Sequence, residues 1–144
     1  MGVGRRVACV VVAGMTLFAI GAVFHLMVPL VASGIPPQFG NAALFRPWTG
    51  WTSTYMALHP FGFAVVFTAV YVLLRARGGV AGGWRGGLAY GFGVFLVGSL
   101  PVFLLAFASF QVSPDVIISW VLQSTCQYLA AGAAVGWVAR HAEP

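Results

Sequence analysis

The sequence is short of charge. Of its 144 residues only 6% are Asp, Glu, Lys or Arg, against roughly 25% in an ordinary soluble domain. It has no lysine, and Asp115 and Glu143 are its only acids. With 60% of its residues hydrophobic, the chain lacks the polar surface that a soluble globular domain of this size needs, and that class is excluded. The net charge of +5 reflects missing acids rather than a basic patch. The arginines stand at segment ends, without interleaved aromatics on a polar face, so a nucleic-acid partner is excluded too.

Cysteine is almost as scarce. Cys9 and Cys126 sit in apolar segments at different depths and form no CxxC or CxxH pattern. Both read as small apolar packing residues rather than a disulfide. There is no GxGxxG, P-loop or HExxH motif, and no Ser-His-Asp set with a usable carboxylate. No catalytic residue and no metal site is therefore assigned. The interiors of the apolar runs hold no acid and no cation, which argues against proton-coupled transport and ion conduction. No internal repeat is present, which argues against a self-sufficient transporter.

What remains is four long apolar runs, about 7–32, 53–74, 86–110 and 114–138. Each exceeds the ~20 residues that span the hydrocarbon as a helix, and in lipid a helix satisfies its own backbone. The first follows Arg5 and Arg6 as a signal peptide would, but it is longer than an h-region of about 7–15 residues and reads as a retained helix. The fold class expected is all-α: a single domain over 1–144, an integral membrane four-helix transmembrane bundle.

Orientation comes from arginine. Arg5, Arg6, Arg75, Arg77, Arg85 and Arg140 fall on one side of a four-span arrangement and Arg46 on the other. The positive-inside rule predicts N-in/C-in topology, in a bacterial inner membrane. Trp48, Trp51 and Tyr55 at one boundary and Trp84 and Trp137 at the other make aromatic belts. Ser113-Pro114-Asp115 carries the pattern of a helix start. Gly78–Gly83 reads as a flexible hairpin between the second and third helices. The outer loop 33–52 is too apolar to float in water and is expected to be structured on the bilayer surface or on a partner. Within it Ile35-Pro36-Pro37 is expected to be extended, because a residue before proline avoids the helical region. Residues 41–45 are expected to form a short interfacial helix. Arg46 and Asp115, the charges on the outer side, either pair across the loops or stand solvated apart. His141 and Glu143 belong to a short solvated tail.

Two sets of residues within the runs offer function. Gly87 and Gly91 in the third helix, and Gly132 and Gly136 in the fourth, have the GxxxG spacing that lets helices approach closely. They are candidates for packing, within the chain or against another. The second set is polar: His25; then Thr52, Tyr55 and His59 at helical spacing; then Ser119, Gln123, Cys126 and Gln127. At 1.5 Å per residue, His25 and His59 both fall roughly 10 Å below the outer surface and Gln123 slightly deeper. A buried polar layer of this kind faces a bundle interior or a cavity. The structural reading has each imidazole bonded to a carbonyl freed by Pro29 or Pro60, to Tyr55 or to a glutamine. The ligand reading has haem b or a quinone headgroup held by His25, Tyr55, His59, Gln123 and Gln127. Two histidines without a carboxylate or thiolate are a poor zinc or iron site.

Small size, little soluble mass, glycine faces and an apolar loop together point to a non-enzymatic accessory subunit of a larger membrane complex, with lipid and other membrane subunits as partners. The alternatives are an electron-transfer protein using His25 and His59, or a small homo-oligomeric permease whose path is lined by Ser119, Gln123 and Gln127.

Overall fold

The computed structural model describes residues 1–41, 45–47 and 49–140, all helix, turn or loop and no strand. Four long helices and one short one follow in order: α1 (Val3–Val31), α2 (Pro36–Phe39), α3 (Trp51–Ala76), α4 (Gly83–Ser109) and α5 (Pro114–Arg140). Three of them, α1, α3 and α4, are long and apolar enough to cross a membrane, which suggests an integral membrane protein. The fourth long helix, α5, has 27 residues but a more polar sequence, because it carries Ser119, Gln123, Ser124, Thr125 and Gln127. It can carry them because α1 and α4 pack along its two sides. Its exposed positions between the two ends reduce to Ile118, Leu122, Cys126 and Trp137. Cys126 thus lies on an outward stripe while Cys9 is fully buried, and both are free thiols. Expectation had both in the packing; the helical period turns Cys126 to the same side as Leu122.

The helices run antiparallel in sequence, so Arg5, Arg75, Arg85 and Arg140 meet at one end, here called the arginine end. α1 packs on α3 and on α5, and α5 packs on α4. The backbones of α3 and α4 stay apart, and rings bridge them. Phe67 and Tyr71 of α3 meet Tyr90 of α4 with centroids 4.7 and 5.2 Å apart. The Tyr90 hydroxyl donates to the Phe67 carbonyl oxygen at 2.6 Å. Phe63 stacks on Tyr128 of α5 at 5.1 Å. The main core therefore lies in the arginine half, built from Cys9, Ala13 and Leu17, Ala64, Phe67 and Tyr71, Tyr90, and Ala131, Val135 and Ala139.

Local chemistry sets the ends of these helices. α3 stops in a Schellman turn: Gly78 takes φ +73, its N–H bonds the Arg75 carbonyl at 3.1 Å, and the Gly79 N–H reaches the Leu74 carbonyl at 2.9 Å. A left-handed residue is needed there and glycine supplies it without a Cβ penalty. In α4 one π turn covers Phe95–Ser99, with the Leu100 N–H bonding the Phe95 carbonyl five residues back. Pro101 follows at once, lacks an N–H and crowds the carbonyl four residues before it. The widened turn accommodates that crowding.

At the other end the loop between α1 and α3 folds onto α5. Ile35 is buried among Ala106, Val112, Val116 and Ile117, and its backbone is helical at φ −78, ψ −48. This corrects the extended conformation expected before proline. Burial of the Ile35 side chain, with turn bonds from its N–H to Ala32 and from Gln38 back to its carbonyl, both at 3.0 Å, outweighs the steric preference. The expected helix over 41–45 and the interfacial Trp48 fall partly or wholly outside the described residues, as do His141 and Glu143.

Candidate functional site

The glycines lie at the closest helix contact of the molecule. A methyl group on Gly87 would overlap the Gly132 carbonyl and lie 3.1 Å from Gly136 Cα, and one on Gly91 would overlap the Tyr128 carbonyl. The relation is reciprocal. A methyl on Gly132 would overlap the Gly87 carbonyl, and one on Gly136 would overlap Gly83. Thus α4 and α5 touch backbone to backbone through Gly87, Gly91, Gly132 and Gly136, and these faces are occupied within the chain.

Of the polar layer, Gln127 joins α5 to α1. The Gln127 side-chain amide donates to the Leu17 carbonyl at 2.7 Å. Gly21 makes the space: a Cβ there would stand 2.9 Å from Gln127 Nε2 and 3.6 Å from Gln123 Nε2. The Ser119 and Thr125 hydroxyls donate within α5, to Val116 and Val121 carbonyls at 2.7 Å each. The Ser119/Gln123/Gln127 stripe therefore lies along a packed helix seam.

The histidines are not brought together. His25 and His59 are both exposed. Phe61 meets Gly14 and Phe18 of α1, which sets His59 near the level of Phe18. His25 stands two turns beyond Phe18, an axial offset on the order of 10 Å at 1.5 Å per residue. His59 serves its own helix: its Nδ1 donates to the Met56 carbonyl at 3.2 Å, the carbonyl that Pro60 leaves without its usual N–H. Tyr55 stacks on the His59 ring at 6.3 Å and is 62% exposed. Haem held between the two imidazoles has no support in this arrangement. Among the described residues no group of three or more His, Cys, Asp or Glu stands close enough to hold a metal ion.

Arg46 and Asp115 are both exposed, and among the described residues they form no ion pair with each other. The contact that ties the two loops at the end opposite the arginines is one that sequence reasoning missed. Gln38 donates from Nε2 to Ser113 Oγ at 2.8 Å and accepts from the Ser113 N–H through Oε1 at 3.0 Å. Phe39 and Phe45 add ring contacts to Trp120 at 6.4 and 6.2 Å. A lone amide in an apolar, proline-bearing loop is the available signal, since such a group needs a partner when it is brought against a helix end.

One surface of the expected membrane region has no neighbour among the described residues. On α3 the buried positions are Pro60, Ala64, Phe67, Thr68 and Tyr71. Steps of three, four and seven residues back from Pro60 reach Ala57, Met56 and Ser53 on the same face, and all three are exposed. From Trp51 to His59 only Thr52 is even half-buried. The outer part of α4 is similarly bare, with Val102, Leu104, Leu105 and Phe107 between 53% and 66% exposed. The core-facing side of α3 therefore continues past its own core. Compared with protein-family models, curated proteins and solved structures, the chain finds no match.

Proposed function

We propose that the protein is a non-catalytic subunit of a larger bacterial inner-membrane complex, built on four transmembrane helices with both ends in the cytoplasm. The observation that carries this reading is the stripe Ser53, Met56 and Ala57, which continues the buried face of α3 and is exposed. A partner helix laid there would extend the core toward the outer end, between α3 and α4. The glycine faces and the loop around Ile35 are not the docking surfaces on this reading, because each is already covered from within. The orientation rests on the six arginines at one end and Arg46 alone at the other. α5 joins as a fourth span because its amides turn toward α1 and not toward lipid.

Native mass spectrometry of the protein, extracted gently from its own membrane, tests the reading. The expected particle contains this chain and at least one unrelated membrane chain in fixed ratio, and Met56→Arg releases the partner while the chain itself stays folded. A particle containing this chain alone, under every mild detergent tried, contradicts it.

A further inference from the structure

A groove of about 580 Å³ runs along α4 from the arginine end, where Leu74 of α3 and the loop residues Gly79, Val80 and Ala81 join its lining. Its walls are Leu74, Val80, Gly86, Ala89, Gly93 and Val97, with Tyr90 at its base. The lining is hydrocarbon and bare glycine backbone. It runs along α4 from Gly86 to Gly98, a length of roughly 18 Å at 1.5 Å per residue. One leaflet of the hydrocarbon core is about 15 Å deep, half of the ~30 Å total. The groove thus begins at the arginine-end loop and stops at the π turn, near mid-membrane.

Arginines stand next in sequence to the lining residues at this end: Arg75 follows Leu74 and Arg85 precedes Gly86. The Arg75 guanidinium folds over the loop, so that a Cβ on Gly82 would lie 2.8 Å from its Nη1. Arg77 follows at the helix end, and Arg85 opens α4 with its guanidinium 5.3 Å from the Trp84 ring centroid. Among the described residues no Asp or Glu shares this end; Asp115 is at the opposite one. From the one-leaflet length, the apolar walls and the arginines at this end, we infer that the groove along α4 holds an acyl chain of an anionic glycerophospholipid, with the phosphate at Arg75, Arg77 and Arg85. Arginine suits that phosphate through its forked donors, and juxtamembrane basic groups attract anionic lipid generally.

Glycine supplies a clean test. A Cβ on Gly93 or on Gly98 meets nothing within 4 Å, and the same holds for Gly62, which is exposed on α3 away from the groove. Gly93→Leu therefore sets its Cβ in open space on the groove wall, and leucine is the better helix former. Gly98→Leu repeats the test at the deep end, and Gly62→Leu is the control. Each protein is purified in mild detergent, its retained lipid is measured by native mass spectrometry, and rebinding is followed in nanodiscs of phosphatidylglycerol or phosphatidylcholine. The wild type should retain one anionic glycerophospholipid per chain, and so should Gly62→Leu. Both groove variants should lose it by at least roughly tenfold with an unchanged or raised melting point. The triple variant Arg75→Gln, Arg77→Gln, Arg85→Gln should bind both lipids equally. The inference is overturned if the groove variants retain lipid as the wild type does. It is equally overturned if the wild type does not distinguish the two headgroups, or if filling the groove instead separates two protein chains.

Discussion

Gly87→Ala is the most informative substitution at the α4–α5 contact. In an isolated helix the change is favourable, by about 0.5–1 kcal/mol. Here the new methyl would overlap the Gly132 carbonyl and press on Gly136 Cα. Both neighbours are backbone, so no side-chain rotation relieves the overlap and the helices must move apart. Overpacking of this kind costs about 1–3 kcal/mol. Separation also weakens the dispersion contacts shared by Gly83, Gly87, Gly91, Gly132 and Gly136, which fall off steeply with distance. The clash and the lost contacts outweigh the propensity gain, leaving a net loss of up to about 2.5 kcal/mol. Gly62→Ala, with nothing within 4 Å of its Cβ, experiences the propensity effect alone and should be neutral or slightly stabilising. The two variants are compared by thermal or SDS-driven unfolding in the same detergent. Equal stability of Gly87→Ala and Gly62→Ala would refute the backbone contact.

Three further outcomes follow from the hydrogen bonds. Gln127→Leu removes the bond to the Leu17 carbonyl and should lower stability by about 0.6–1.7 kcal/mol, the range for interhelical bonds in membranes, read from the same unfolding curve. Gln38→Ala breaks both contacts to Ser113. It should speed amide exchange and protease cleavage in the loop between α1 and α3 while leaving the spans protected, and unchanged exchange would count against the clamp. Because His59 bonds the Met56 carbonyl that Pro60 frees and is otherwise exposed, His59→Leu should lower stability by one hydrogen bond, about 0.5–1.5 kcal/mol. A loss of several times that amount would mean a second partner for the imidazole.

The long apolar runs were legible because hydropathy needs only local sequence, and the observed helices differ from the expected bounds by a few residues at most. The glycine spacing was equally legible, but not its target, since GxxxG looks the same whether the second helix belongs to this chain or another. The polar layer was read as a shared interior. It divides instead because a helical wheel gives an angle but not the neighbour at that angle. Gln127 turns to α1, Ser119 and Thr125 bond back to their own helix, and Tyr55 and His59 look outward. Ile35 departs from the proline rule because its burial is set by Val112 and Val116, far away in sequence. The Gln38–Ser113 contact spans 75 residues, and no local pattern predicts it.

In a complex subunit of the kind proposed, another protein covers the exposed face of α3 at Ser53, Met56 and Ala57. A photo-crosslinking amino acid at Ala57, compared with one at Val66 on the 61% exposed outward side of the same helix, tests it directly in the native membrane. One discrete heterologous protein adduct is expected from position 57, identical to the chain that co-purifies, and lipid adducts alone from position 66. Lipid adducts alone from both positions would contradict it.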